Sequence, residues 1–318
     1  MADSGGDESS VAAKAGCCHD EGPAGAEGRG YCSYGRGLVT HPWCHRHLAT
    51  PGANKCPFPP PPVSVATLGR MTGLGLAGKR VLVTGGGTGI GRGIAMAFGA
   101  EGARVAVTYH QHAPDDELRA ACPGLVAHAN EATDEADTQE VAAKIVAELG
   151  GLDVLVNNVG GMVARVPFDE MTFAHWRAVM AINLDSMFLM TKAVLGDLAD
   201  GGRVINVASV AGHNGGGNGA TAYATSKSAM FAFTRGLAKE LAGRGITVNA
   251  LAPGYIAQTE FHAVHTPAPE QAKQIAGIPL GRAGVPADVA GPTLWLASDL
   301  AAWVTGEVVD INGGAYFA

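Results

Sequence analysis

The chain has little charge for its length, and the charge that it has is mostly negative. Of 318 residues only 22 are lysine or arginine, against 29 aspartate or glutamate, which gives a net charge of −7. Binding to nucleic acid normally needs a basic surface, so no nucleic-acid partner is expected. No apolar run resembles a signal peptide or reaches the ~20 residues of a membrane-spanning helix. We therefore expect a cytoplasmic protein with no membrane partner.

The sequence also lacks the paired Cys-x-x-Cys knuckles that closed zinc sites regularly show. Five of its six cysteines lie before residue 70, and Cys44 stands in a short segment with His41, His45 and His47. A metal site there is one interpretation, and a disulfide scaffold of a secreted protein is another. Without knuckle spacing or a signal peptide, we predict that these residues have no specific role and that the chain has no metal site.

Residues 1–70 differ in composition from the rest of the chain. They are rich in Gly, Ala, Ser and Pro, include a proline-rich run at 57–62, and show no helical or strand periodicity. Such a segment cannot bury enough apolar surface to offset its ordering entropy, which predicts a disordered extension. The pattern of a compact domain begins at Met71, so we expect one folded domain over 71–318. Met71 is then the expected natural start, and a natural peptide from before residue 70 would contradict this hypothesis.

From Lys79 the chain alternates short apolar, β-branched runs with amphipathic stretches. The predicted strands are Arg80–Thr84, Arg104–Tyr109, Gly124–Ala127, Leu152–Asn157, Arg203–Ala208, Ile246–Leu251 and Val308–Ile311. Helices are predicted to begin near Ile90, Thr138, Phe173, Ala222 and Pro286. Strands that are apolar on both sides and alternate with helices predict a doubly wound α/β fold, with a parallel sheet of about seven strands covered on both faces.

A glycine turn follows the first of these strands, in the stretch Thr84–Gly91. It stands between a strand and a helix and begins a βαβ unit, the setting in which backbone N–H groups and the positive helix end meet a pyrophosphate. The spacing is Gly85-x-x-x-Gly89-x-Gly91, which differs from the commoner Gly-x-Gly-x-x-Gly.

Tyr223 and Lys227 are four residues apart, and Ser209 precedes Tyr223 by fourteen. Residues four apart share one face of a helix, so the ammonium can lie beside the phenol. A positive neighbour lowers the pKa of a tyrosine, which makes the phenol a better proton donor and acceptor at neutral pH. Taken alone, the pair is also compatible with a solvated helix face.

With these motifs in place, the chain resembles the short-chain dehydrogenase/reductase family over residues 75–318, and most closely its 3-oxoacyl-carrier-protein-reductase-like branch. The motifs that carry the resemblance are Thr84–Gly91, Leu152–Gly160, Asn183, Ser209, Tyr223-x-x-x-Lys227, Asn249–Ile256 and Val304–Gly314. The resemblance implies a single-domain Rossmann fold and an NAD(P)-dependent oxidoreductase that moves a hydride between nicotinamide and a carbonyl or secondary alcohol.

The family's catalytic roles fall on four residues of this sequence. By resemblance, Tyr223 is the general acid/base, and Lys227 lowers its pKa and binds the nicotinamide ribose. Ser209 holds the substrate oxygen, and Asn183 anchors a water that links Lys227 to solvent. Taken alone, Asn183 could cap or kink an apolar helix, and Ser209 could belong to a turn.

The resemblance also implies a set of cofactor-binding residues. The Ile256 backbone is expected to meet the carboxamide, while Asn158 and Gly160 are expected on the adenosine side. The full set is Gly85, Thr88, Gly89, Ile90, Gly91, Tyr109, His110, Glu131, Asn158, Gly160, Tyr223, Lys227, Pro253, Gly254 and Ile256.

The residues at the end of the second strand favour NADP over NAD as the cofactor. NAD-binding folds place an acidic residue there to hold the ribose 2′-hydroxyl, whereas this chain has Tyr109 and His110, and Asp115 comes too late. No arginine or lysine stands at Thr88 or His110 to bind a 2′-phosphate. Glu131 takes the place of an aspartate that contacts adenine in the family.

The substrate is the least determined part. The pocket is expected from Gly161–Val163, the loop 213–218 and a mobile lid at 259–275, where no cation precedes Lys273, so a strongly anionic substrate is not favoured. The alternatives are a 3-oxoacyl-thioester reductase and a catalytically silent dinucleotide-binding sensor or scaffold. The resemblance further implies a homotetramer formed through the helices of Asn183 and Tyr223.

Overall fold

The structure is a computed structural model that describes residues 73–259 and 268–318, and the backbone of 31–34 and 37–40. The chain divides into two units, Met1–Arg70 and Met71–Ala318. In the first, strands β1 (Tyr31–Tyr34) and β2 (Gly37–Thr40) pair antiparallel, a feature that the sequence did not predict. The rest of the predicted extension, including the segment 41–47, lies outside the described residues.

The second unit contains a seven-stranded parallel sheet in the order β5-β4-β3-β6-β7-β8-β9. Its strands are β3 (Arg80–Val83), β4 (Arg104–Tyr109), β5 (Val126–Ala129), β6 (Leu152–Asn157), β7 (Leu198–Val207), β8 (Thr247–Pro253) and β9 (Val308–Ile311). All seven predicted strands are present. β7 begins five residues earlier than predicted because Leu198 already pairs with Leu152, before an irregularity in the register.

Helices join these strands. They are α1 (Gly89–Ala100), α2 (Asp116–Ala121), α3 (Glu135–Leu149), α4 (Phe173–Met180), a π-helical turn (Ala181–Asp185), α5 (Ser186–Val194), α6 (Ala211–Asn214), α7 (Thr221–Leu241), α8 (Ala268–Ala276) and α9 (Pro286–Ala297). α3 begins three residues before the predicted Thr138, because the Asp134 side chain accepts from the Asp137 N–H and caps its first turn.

The sheet is covered on both sides, because alternate residues of each strand point to opposite faces. Val81 and Val83 pack with the core formed by α1 and α9, whereas Leu82 between them packs with α3 and α5. The predicted doubly wound α/β fold is therefore confirmed. Across 73–259 and 268–318, no helix is both long and apolar enough to span a membrane.

Candidate active site

A cleft of about 890 Å³ lies at the carboxyl ends of strands β3 to β8. Its walls come from the segments that directly follow these strands, including Gly85 after β3, Asn158 after β6 and Ser209 after β7. The strand order reverses at β3, which has β4 on one side and β6 on the other. Doubly wound sheets bind their ligands at such a reversal, so the topology itself places a binding site here.

The glycine turn forms one wall of the cleft. Gly85 and Gly89 have φ angles of +63° and +55°, which glycine adopts without strain. Thr88 precedes α1 without a side-chain cap, and the first turn of α1 has no acidic residue. Backbone N–H groups and the positive end of α1 therefore face the cleft, an arrangement that fits the pyrophosphate of a dinucleotide. Gly87, Thr88, Gly89 and Ile90 line the cleft.

Gly91 is not a lining residue, because it lies beneath the turn. A Cβ atom at this position would be 2.4 Å from the Gly85 carbonyl oxygen and 2.5 Å from Asn158 Nδ2. Asn158 donates to the carbonyl oxygens of Thr84 (2.9 Å) and Gly85 (3.2 Å). Gly91 and Asn158 thus hold the shape of the glycine turn.

The adenosine end of the cleft carries a carboxylate and imidazoles. Tyr109, His110 and Glu131 all line it. Glu131 accepts a hydrogen bond from Thr133 Oγ1 at 2.9 Å, and its other carboxylate oxygen is 3.4 Å from His110 Nε2. Among the described lining residues at this end, none is arginine or lysine.

Gly160 lies at the catalytic end rather than on the adenosine side, where the sequence analysis expected it. A Cβ atom there would be 2.6 Å from Asn183 Oδ1 and 2.9 Å from Lys227 Nζ. The segment after β6 runs from the glycine turn toward α7, so its successive residues face different ends of the cleft. Gly160 lines the cleft, so its assignment to cofactor binding stays a prediction, and Asn158 lies beside the glycine turn.

Asn183 is fully buried in the π-helical turn between α4 and α5. Its amide donates to the carbonyl oxygens of Gly161 (2.7 Å) and Val179 (2.8 Å), and Oδ1 accepts from the Gly161 N–H at 3.0 Å. The side chain therefore joins its own helix to the loop after β6. Single π-turns of this kind are frequent at functional sites, and this one was not predicted from the apolar helix pattern.

Tyr223 and Lys227 lie on the buried face of α7, with exposed fractions of 9% and 3%. Lys227 Nζ donates to the Val207 carbonyl oxygen at 2.9 Å and lies 5.8 Å from the centre of the Tyr223 ring. Burial lowers the pKa of Lys227 to about 7. The alternative of a solvated Tyr/Lys pair is thereby excluded, because both side chains are buried.

Burial raises the pKa of Tyr223 above its usual value, and a hydrogen bond with Ser209 and the charge of Arg165 partly oppose this shift. The prediction from the sequence that Lys227 lowers the pKa of Tyr223 is therefore wrong in direction. Desolvation of the phenol dominates, and a lysine with a pKa near 7 carries only part of its charge at neutral pH. Ser209 also accepts from the Ala211 N–H at 3.1 Å, so the turn interpretation holds beside its contact with Tyr223.

Arg165 is a lining residue of the catalytic end that the sequence analysis missed. It lies on the loop after β6, and its Nη1 donates to the Asn218 carbonyl oxygen at 3.2 Å. The expectation about substrate charge rested on the lid segment 259–275, which lies far from Arg165 in the sequence. Arg165 lies seven residues after Asn158, in the segment that follows the carboxyl end of β6. Because ligands bind at the carboxyl ends of parallel strands, this position could have identified Arg165 as a cleft residue.

Other predicted cleft residues lie where they were expected. Pro253 ends β8, Gly254 and Ile256 follow it, and all three line the cleft, as do Gly161 and Met162 of the predicted substrate pocket. Thr259 and Gln274 contribute from the predicted lid, of which 260–267 lie outside the described residues.

Carbonyl reduction needs a proton donor beside a hydride carrier, and this cleft joins Tyr223 to a phosphate-binding turn. That combination defines an NAD(P)-dependent oxidoreductase that acts on a carbonyl. Residues 85–316 match the family model described as enoyl-(acyl carrier protein) reductase. The chain belongs to the short-chain dehydrogenase/reductase family, in its 3-oxoacyl-carrier-protein-reductase-like branch.

Two similar proteins are matched over about three quarters of this chain. A 3-oxoacyl-[acyl-carrier-protein] reductase of Escherichia coli K12 is 39% identical over 249 residues, 75% of this chain and 98% of the relative. An acetoacetyl-CoA reductase of Shinella zoogloeoides is 37% identical over 241 residues, 74% of this chain and 98% of the relative.

Solved structures agree with this assignment. A dehydrogenase/reductase from Sinorhizobium meliloti 1021 has a TM-score of 0.72 at 35% identity, covering 79% of this chain and 100% of the neighbour. A blue fluorescent protein from a metagenomic library, in complex with NADPH, has a TM-score of 0.68 at 32% identity, covering 76% of this chain and 99% of the neighbour.

Proposed function

We propose that the protein transfers a hydride between NADPH and a small carbonyl compound or its alcohol, with Tyr223 as general acid/base. The observation that carries the proposal is that Tyr223, hydrogen-bonded to Ser209, shares one cleft with the glycine turn. The nicotinamide supplies the hydride when bound. Tyr223 donates its phenolic proton to the carbonyl oxygen, and Ser209 orients that oxygen by a hydrogen bond.

Lys227 and Asn183 have supporting roles in this proposal. The low pKa of Lys227, about 7, suits a group that takes and returns protons at neutral pH. Lys227 also holds the nicotinamide ribose, and Asn183 anchors a water between Lys227 and solvent. The closeness of both side chains to Gly160 supports this arrangement, because a Cβ there would meet Asn183 Oδ1 and Lys227 Nζ.

The test is the change of absorbance at 340 nm with NADPH and a panel of carbonyl compounds. Tyr223→Phe is expected to lower kcat by at least ~100-fold, the usual contribution of a general acid. Tyr316 is half-buried and does not line the cleft, so Tyr316→Phe is a matched control that is expected to leave kcat unchanged. Equal turnover by wild type and Tyr223→Phe would overturn the mechanism and favour a silent dinucleotide-binding sensor.

We propose NADP as the preferred cofactor. No acidic residue follows β4 at 110–112, and the Glu131 carboxylate is engaged by Thr133 and His110. The similar metagenomic protein binds NADPH. The expected result is a higher kcat/KM with NADPH than with NADH, whereas a preference for NADH would contradict this proposal.

A 3-oxoacyl thioester is a second candidate substrate, favoured by the names of two similar reductases. Turnover of acetoacetyl-CoA with NADPH tests it directly.

We further propose a cytoplasmic homo-oligomer, a tetramer formed through α4, α5 and α7. Phe173 and Phe188 support the assembly, because they leave apolar surface exposed on α4 and α5 at 77% and 45%. Light scattering measures the mass of the protein in solution, and the mass of a monomer would contradict the proposed oligomer.

A further inference from the structure

The catalytic end of the cleft carries two cations and, among the described lining residues, no carboxylate. The cations are Lys227 and Arg165, while the single acidic lining residue, Glu131, lies at the adenosine end. Lys227 is buried and bonded to the Val207 carbonyl, whereas Arg165 is exposed at the mouth. Arg165 is therefore the cation that a substrate meets on entering this end.

The loop that carries Arg165 is held in a strained conformation. Val163 has a φ angle of +64°, which is rare for a β-branched residue, and the Ala164 N–H bonds back to the Met162 carbonyl at 2.8 Å. Strained backbone of this kind persists only where the surroundings enforce it, and it is concentrated at ligand sites.

Two hydrogen bonds enforce this conformation from the loop before α7. The Val166 N–H donates to the Gly219 carbonyl at 3.1 Å, and Arg165 Nη1 donates to the Asn218 carbonyl at 3.2 Å. Gly219 has a φ angle of +72°, and a Cβ atom there would be 3.0 Å from the Val166 nitrogen. The close approach of the two loops fixes the guanidinium over the mouth of the cleft.

The charge of Arg165 acts on the proton donor itself. It lowers the pKa of Tyr223 against the effect of burial, and both side chains line the same cleft. A substrate whose carbonyl oxygen meets Tyr223 therefore has its next few atoms within the field of Arg165. A planar guanidinium has five N–H donors, which allows it to bond a backbone carbonyl and a ligand carboxylate together.

We propose that Arg165 binds an ionised carboxylate of the substrate, so that the preferred substrate is an oxo acid with the carboxylate a few carbon atoms from the carbonyl. The inference rests on the proposed function and names its substrate class. It differs from the expectation, which considered only the lid segment, that a strongly anionic substrate is not favoured. An uncharged ketone gains nothing from this contact, which makes Arg165 a specificity-determining residue.

The test compares 2-, 3- and 4-oxo acids with their methyl esters, using the full-length enzyme and NADPH. For at least one pair the wild type is expected to prefer the acid, with a kcat/KM about 10-fold or more above that of the ester. Arg165→Gln is expected to lower the acid-to-ester ratio by about 10- to 100-fold, the range of a hydrogen bond to a charged group. Arg165→Lys keeps the charge and is expected to retain part of the ratio.

Arg119→Gln is the matched control, because Arg119 is exposed on α2 and does not line the cleft. An equal loss for acid and ester in Arg165→Gln, with a shifted pH profile for both, would assign Arg165 to Tyr223 alone and overturn the proposal. A wild type that prefers every ester would also overturn it. If neither the acids nor the esters support oxidation of NADPH by the enzyme, the proposed function itself is contradicted.

Discussion

At the scale of single residues, burial decides the direction of the pKa shifts of Tyr223 and Lys227. Tyr223 and Lys227 are both almost inaccessible to water, and loss of solvent disfavours the charged form of each. The pKa of the phenol is therefore raised, and that of the ammonium falls to about 7. Four-residue spacing could predict the closeness of the two groups, but the sign of each pKa shift depends on what covers them.

Replacing Lys227 tests this desolvation in the protein without cofactor. Its pKa is about 7 in the folded state and roughly 10.4 in the unfolded state, so the unfolded state binds more protons between these values. The cost of burying Lys227 is complete below pH 7 and disappears as the pH rises through the unfolded pKa. We expect Lys227→Met to be inactive yet more stable at pH 6, by roughly 2 to 4 kcal/mol, after allowing for the lost hydrogen bond to Val207.

Urea unfolding followed by circular dichroism at pH 6 and pH 9.5 measures this effect. The gain in the free energy of unfolding is expected to be smaller at pH 9.5. Lys239→Met, at an exposed position on the same helix, provides the control and is expected to change stability little at either pH. A gain for Lys227→Met that is the same at both pH values would show that burial does not lower this pKa.

At the scale of elements, the connection from β3 to α1 is decided by close packing. Gly91 lies inside α1, yet its neighbours are the Gly85 carbonyl and Asn158 Nδ2, which hold the phosphate-binding turn in shape. A side chain at this position has no room, so it must displace the turn. The requirement for glycine here comes from contact between segments, not from the backbone conformation of Gly91 itself.

Two glycine-to-alanine substitutions in helices are therefore expected to have opposite effects. Gly91→Ala is expected to destabilise the fold by about 2 kcal/mol and to weaken NADPH binding by about 10-fold, because it overpacks the turn. Gly236 lies inside α7 with no atom within 4 Å of an added Cβ, so Gly236→Ala is expected to stabilise by roughly 0.5 to 1 kcal/mol. Thermal unfolding measures the change in stability, and fluorescence titration measures the affinity for NADPH. Equal changes in stability for the two variants would show that Gly91 is not more tightly packed than Gly236.

Element boundaries show where sequence patterns stop being informative. β5 was predicted at Gly124–Ala127 and lies at Val126–Ala129, because Gly124 has a φ angle of +74°, outside the strand region. The π-helical turn around Asn183 was not predicted either. An apolar period does not distinguish a π-turn from a regular helix, and the bonds of Asn183 to Gly161 come from a distant segment.

At the scale of the whole molecule, the described part of the cleft lies in the unit Met71–Ala318. Every described lining residue belongs to this second unit. The domain boundary at residue 70 stays a prediction, and removal of residues 1–70 tests it. We expect the 71–318 protein to keep kcat/KM within about twofold of the full chain, because a compact unit with its own core folds alone. A loss of activity with normal circular dichroism would assign residues 1–70 a part in function.

The sequence by itself determined the fold class, the position of the glycine turn and the closeness of Tyr223 and Lys227. Each of these depends on local spacing: strand and helix periods, a turn between adjacent elements, and two residues on one helix face. The tertiary structure alone decided that Gly160 lies beside Asn183 and Lys227, that Glu131 meets His110, and that Arg165 lines the same cleft as Tyr223. These are contacts between segments far apart in the chain, and burial, which fixes the pKa shifts, depends on everything that packs around a group.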